Sequence, residues 1–191
     1  MVNIGIIIGS TRPGRFGSQP GQWLFDLAQG RGDATYDLID LAEVALPLLD
    51  EPVPPSMHQY QHEHSKRWGE RIAALDGFAF ITGEYNHGVP GALKNAIDFL
   101  FVEWNFKPAA FLSYGGGAGG SRSVEHLRGV MAELKIYDIR EQVMLPAYYT
   151  RLNDQGEYQF TADEAEQANA MLEQLVFWAD VMKDARARLE S

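Results

Sequence analysis

Five short apolar runs, each closed by turn residues, alternate with segments of helical periodicity, and this alternation restricts the fold more than any other feature of the chain. The first run, residues 2–8, is almost continuously apolar and rich in β-branched residues, as expected of a strand buried on both faces. Gly9-Ser10-Thr11-Arg12-Pro13-Gly14 closes it. Ser18 and Pro20 then read as the N-cap and an early position of a first helix, with Trp23, Leu24 and Leu27 as its apolar stripe. Residues 36–41 form a second candidate strand, and residues 42–57, with Pro52, Pro54 and Pro55, a loop. From 58 to 75 the pattern is helical through Trp68, Ile72 and Leu75. Residues 78–81 read as a third strand ending at Thr82-Gly83, and Pro90 opens a helix with Leu93, Ala96, Ile97 and Leu100 on one face. Residues 108–114 make a fourth strand, followed by a glycine-rich stretch and a helix with Val124, Leu127, Met131 and Leu134 in phase. Residues 135–145 read as a fifth strand. Thr161 and Glu164 have capping-box spacing ahead of a long terminal helix marked by Ala168, Leu172, Leu175, Ala179, Met182 and Leu189.

Strict alternation with buried strands predicts an α/β fold: a flavodoxin-like three-layer sandwich, with a five-stranded parallel sheet in the order 2-1-3-4-5 and helices on both faces. No repeat or composition shift divides the chain, so residues 1–191 are expected to form one domain, a length that supports a sizeable core. The net charge of −10 disfavours nucleic acid and anionic membrane surfaces as partners. The absence of cysteine removes disulfides, thiolate metal sites, iron–sulfur clusters and cysteine nucleophiles. A cytoplasmic location is expected, because no apolar run approaches the roughly 18 residues of a membrane span. The start, Met1-Val2-Asn3-Ile4, also lacks a signal-peptide layout.

In such a sheet ligands bind beyond the carboxyl ends of the strands, where the strand order reverses. Three loops meet there. The first offers the hydroxyls of Ser10, Thr11 and Ser18, the guanidiniums of Arg12 and Arg15, and the amides of a helix N-terminus, all suited to a phosphate. It reads equally as a polar turn with solvated arginines. The second, Gly83-Glu84-Tyr85-Asn86-His87-Gly88, places an aromatic among polar groups, either to stack on a flat ring or as an ordinary packing residue. The third, Ser113-Tyr114-Gly115 and the small residues to Gly120, permits close backbone approach. Its match to Gly-x-Gly-x-x-Gly carries little weight, because it follows the fourth strand rather than the first.

Several chemistries lack their residues. There is no cysteine for a phosphatase, no Gly-x-Ser-x-Gly elbow and no Walker A lysine, and Thr82-Gly83 stands where a response regulator needs its acceptor aspartate. His58 and His62 have i, i+4 spacing, with His64 nearby, but no carboxylate completes a metal site, and surface or structural roles are expected. His126 falls on the exposed side of its helix, and Trp104 and Trp178 read as core or subunit-interface residues. What remains is a phosphate grip, an aromatic and close backbone without a nucleophile, a profile that suits a cofactor carrying its own chemistry.

The runs Gly9–Arg15, Glu84–Asp98 and Ser113–Arg122 together resemble the NAD(P)H-dependent FMN reductase family, which includes FMN, quinone, azo-dye and chromate reductases; the similarity spans roughly residues 2–150. The resemblance implies tightly held FMN, NAD(P)H as co-substrate, a small-molecule acceptor, ping-pong two-electron transfer, and a homodimer or dimer of dimers. By position, Ser10, Thr11 and Arg12 are implied to grip the FMN phosphate with the turn Arg15-Phe16-Gly17-Ser18. Glu84, Tyr85, Asn86 and His87 would line the isoalloxazine ring, and Ser113, Tyr114 and Gly115 would close its other side. No catalytic side chain and no metal are expected. Many members have Ser and Asn where this chain has Arg15 and Gly17, and Pro where it has Gly83. Two other readings share these features: a flavodoxin-type electron carrier that does not react with NAD(P)H, and a module without cofactor.

Overall fold

A computed structural model describes residues 1–189. Strands β1 (Asn3–Ile8), β2 (Thr35–Asp40), β3 (Gly77–Gly83), β4 (Pro108–Tyr114) and β5 (Tyr137–Leu145) form a sheet in the order β2-β1-β3-β4-β5, each neighbouring pair parallel. Helices α1 (Ser18–Gln29) and α6 (Ala162–Leu189) cover one face. Helices α2 (Leu41–Val44), α3 (Glu63–Ala73), α4 (Gly91–Asp98) and α5 (Ser121–Glu133) cover the other. No described helix is long and apolar enough to cross a membrane.

The two-residue period of a strand divides the core. Ile4, Ile6 and Ile8 face Leu24 and Ala28 of α1, while Ile7 faces Trp68 and Ile72 of α3. Every residue of β3 and β4 is buried, which is why these strands read as unbroken apolar runs. Trp104 is fully buried, and Trp178 is partly buried against Tyr137. His126 is exposed, as its helical phase predicts.

Several boundaries differ from the periodic reading. The N-cap of α1 is Gly17, and Ser18 is the first helical residue, its hydroxyl donating back to the Arg15 carbonyl at 3.4 Å. The proline-rich stretch is not wholly loop: Asp40 caps α2 through the Ala42 amide, and a 3-10 turn spans Pro55–Met57. Helix α3 starts at Glu63 rather than 58, because Glu51 captures the Gln61 and His62 amides at 2.9 and 3.0 Å. His58, with φ +51°, therefore lies outside α3, and His62 is its cap; the pair shares no helical face. Lys135 has φ +55°, so β5 begins two residues later, at Tyr137. Thr161 and Glu164 do exchange capping bonds, of 2.8 and 3.2 Å. In α6 the apolar stripe ends early: Met182 is half-buried and Leu189 is 68% exposed.

Candidate functional site

Strand β1 lies between β2 and β3, and the helix that follows β1, α1, packs on the face opposite to the helices that follow β2, α2 and α3. The carboxyl ends of β1 and β3 therefore border the crevice at the switch point. The first loop is shaped by Arg12-Pro13-Gly14-Arg15, where the Arg15 amide donates to the Arg12 carbonyl at 3.0 Å and Gly14 has φ +65°. Proline followed by a left-handed glycine is the composition of a type II turn. The turn leaves Thr11 and Arg12 exposed, while Ser10 is buried. The Arg12 guanidinium has no partner among the described residues. Arg15 is not solvated: it pairs with Asp40 at the end of β2, and its Nε is buried without a partner.

No described carbonyl accepts from the amides of Phe16, Gly17 or Ser18 at the start of α1, and no acidic residue occupies its first turn. This end thus keeps its partial positive charge and its free donors. The Phe16 side chain turns away into the core, stacked on Tyr148 with ring centroids 4.1 Å apart.

The second loop is a two-residue turn. Tyr85 and Gly88 exchange backbone hydrogen bonds of 3.0 and 2.9 Å, and Asn86 and His87 occupy its tip with φ +50° and +66°. Two consecutive left-handed residues are required by the I′ turn, and such strain in non-glycine residues concentrates at ligand sites. Tyr85 is 39% exposed, and its hydroxyl reaches Ser10 Oγ at 2.5 Å, joining the first and second loops. Glu84 is committed elsewhere. Its carboxylate accepts from the Arg122 amide at 3.2 Å and from Arg122 Nε at 2.6 Å, at the start of α5. Burial opposes its ionisation, but the hydrogen bonds and charge of Arg122 prevail and hold the carboxyl below its ordinary range.

In the third loop Ser113 donates to the Gly119 carbonyl at 2.8 Å, so its hydroxyl braces the loop. Gly115 abuts Gly120, whose nitrogen would lie 2.9 Å from a Cβ there. Tyr114 is buried with its hydroxyl unpaired.

A 220 Å³ cavity joins these pieces, lined by Arg12, Glu84, Tyr85, Tyr114, Gly115 and Gly116 and closed by Tyr148 and Tyr149. A second, of 320 Å³, opens beyond Thr11 between Leu41, Ala42, Leu46 and Asn95. Thr11 and Arg12 therefore serve opposite sides of the first loop. Tyr148 and Tyr149 were not singled out from sequence. The signal was there: they follow β5 directly, and the loop after β5 also lies at the carboxyl edge. A polar knot holds their turn in place: Arg151 Nη1 donates at 2.6 Å to Glu164 Oε1 and at 2.6 Å to the Tyr158 hydroxyl. The histidines of the proline-rich region lie apart from the cavity, His64 on Asp50 and His58 on Glu103.

These features define an α/β protein of flavodoxin-like fold with an arginine-bearing turn and an aromatic-walled cleft at its switch point. Residues 2–150 match the family described as NADPH-dependent FMN reductase, and the chain belongs to that family of oxidoreductases. Among curated relatives, the NAD(P)H-dependent FMN reductase ntnL of Nectria sp is 36% identical over 152 residues, covering 76% of this chain and 76% of its own. The 2-hydroxy-1,4-benzoquinone reductase of a Burkholderia species is 33% identical over 141 residues, covering 71% of this chain and 73% of its own. Among solved structures, the flavoenzyme NAD(P)H:(acceptor) oxidoreductase FerB of Paracoccus denitrificans superposes with a TM-score of 0.72 at 20% identity, over 95% of this chain and 99% of that one.

Proposed function

We propose that the protein holds FMN in the switch-point cleft and transfers two electrons from NAD(P)H to a quinone, free flavin or similar small acceptor in a ping-pong cycle. One observation carries this reading: at the carboxyl ends of β1 and β4 buried donors stand unpaired, Arg15 Nε and the Tyr114 hydroxyl, beside free amides at the start of α1. Buried polar groups are nearly always hydrogen-bonded, and these donors fit the phosphate of FMN. When bound, FMN supplies the redox chemistry.

The chain's own residues bind and orient. Arg12, exposed and unpaired, and the α1 amides hold the anionic tail. Arg15 is fixed by Asp40 and serves the turn as much as the ligand. Tyr85, anchored to Ser10, and Tyr148 with Tyr149 form the aromatic walls between which a planar acceptor enters. Glu84 acts through Arg122, tying the second loop to α5, so that Tyr85, Asn86 and His87 face the ring from a fixed support. No side chain is assigned as acid or base. A homodimer or dimer of dimers belongs to this reading, and sedimentation velocity reads it directly.

Anaerobic addition of NADPH to the FMN-loaded protein is the test. Bleaching of the flavin absorbance near ~450 nm within the mixing time, followed by reoxidation with quinone, is expected. Absence of direct reaction would return the protein to the electron-carrier reading, and failure to take up FMN would remove both.

A further inference from the structure

Tyr114 ends β4 with 4% of its surface exposed, and its hydroxyl has no partner within hydrogen-bond distance among the described residues, the Ser10 hydroxyl acting on it from further off while it binds Tyr85. The ring spans the gap between the end of β3 and the start of α1. A Cβ at Gly83 would stand 3.0 Å from the ring, and one at Gly17 would stand 2.7 Å from the hydroxyl oxygen. A side chain at Gly17 would displace the hydroxyl, and one at Gly83 would press on the ring. Phe16 and Tyr148 clamp the ring edge-on, with centroids 5.1 and 5.6 Å away. The hydroxyl is therefore fixed against the N-cap of α1, where the Phe16, Gly17 and Ser18 amides have no described backbone acceptor. Arg15 Nε, a second buried unpaired donor, lies two residues along the chain. Burial pushes the phenol well above its ordinary value, so it stays protonated and can donate. An unpaired buried hydroxyl is unfavourable in the empty protein and is satisfied when an acceptor arrives.

We infer that the Tyr114 hydroxyl donates to the phosphoryl group of the bound flavin and makes the site select the phosphorylated cofactor over unphosphorylated riboflavin. This places Tyr114 at the anionic tail rather than beside the ring, and it rests on the flavin-site reading above.

The test is titration of the apoprotein with FMN and, separately, with riboflavin, for the wild type and Tyr114→Phe. The variant keeps the ring and loses the donor. Its FMN Kd should rise by about tenfold or more, the scale of a hydrogen bond to a charged group, while its riboflavin Kd stays unchanged. The melting temperature of the apoprotein should hold or rise, since an unpaired polar atom is removed. Equal losses for both flavins, or no loss for either, would overturn the inference and leave the functional reading intact. If the wild type binds neither flavin, the functional reading falls and the inference with it. Should Tyr114→Phe fail to fold, Tyr114→Met, which also lacks the donor, takes its place: loss confined to FMN supports the assignment, whereas an unchanged FMN-to-riboflavin ratio rejects it.

Discussion

Asp76, just before β3, and Tyr114, at the tail of β4, are both buried polar side chains in opposite surroundings. Asp76 accepts from the Asn3 amide at 3.0 Å, from Lys183 at 2.8 Å and from Arg186 at 2.6 Å. Around it, at the amino ends of the strands, buried Lys107 donates to the Ile72 and Ala73 carbonyls, and buried Glu103 accepts from Tyr60. Burial lowers the Lys107 amine to about 8, with the nearby charge of Arg186 acting in the same direction. Tyr114, at the other end, has no partner, nor has Arg15 Nε. Cavity size gives the opposite ranking, since 560 Å³ opens beside Lys107 and Glu103 and only 220 Å³ beside Tyr114. Of the three buried side-chain atoms without a partner among the described residues, Ser65 Oγ on α3 lies outside the cleft and the other two flank it, so unmet hydrogen-bonding capacity points to the proposed ligand end of this sheet better than empty volume does.

If that contrast is right, substitutions at the amino end cost stability and spare flavin, and those at the carboxyl end do the reverse. Asp76→Ala leaves Lys183 and Arg186 without their shared acceptor and should cost about 3 kcal/mol. In thermal melts that is a drop of roughly 6–12 °C, with the folded fraction still binding FMN normally. Arg12→Ala should leave the melting curve in place, because the side chain is exposed and unpaired. Its FMN Kd should rise about 10- to 100-fold, with activity recovered at saturating FMN; a variant purified with full flavin would break the contrast.

Glu164 sharpens it, being a satisfied cluster close to the cleft. Burial opposes its ionisation, but hydrogen bonds from Arg151, the Thr161 amide and Tyr158 outweigh this and depress its pKa. A carboxyl depressed in the folded state adds stability that is fully present above its ordinary value, 4.5, and is lost as pH falls through the folded-state value. Glu164→Gln should therefore cost about 2 kcal/mol at neutral pH, with a shallower decline of stability below about pH 4.5 in urea titrations. The smallest effect is expected of Thr161→Ala, about 1 kcal/mol from the lost cap, without change in FMN affinity.

Much of the architecture was legible before the fold was known. The run through Ile4–Ile8 and the fully buried β3 and β4 announced themselves because a strand's burial is written in consecutive residues. The Thr161–Glu164 cap was equally local. The start of α3 was not, since Glu51 removes the Gln61 and His62 amides from the helix at a distance of about ten residues. The first loop was located correctly, but its two arginines looked alike. Only folding separates them, by bringing Asp40 to Arg15 and nothing to Arg12.

By itself, then, the sequence determined the strand and helix order, the parallel sheet and the three loops that meet at its carboxyl edge, because periodicity and turn chemistry act between near neighbours. Tertiary structure alone decided that Glu84 belongs to Arg122, 38 residues away, and that Tyr85 hooks onto Ser10, 75 residues away. It also decided that Tyr148 and Tyr149 wall the cleft and that the Tyr114 hydroxyl is left without a partner. Whether a polar group is satisfied depends on what the rest of the chain brings beside it, and no local pattern carries that information.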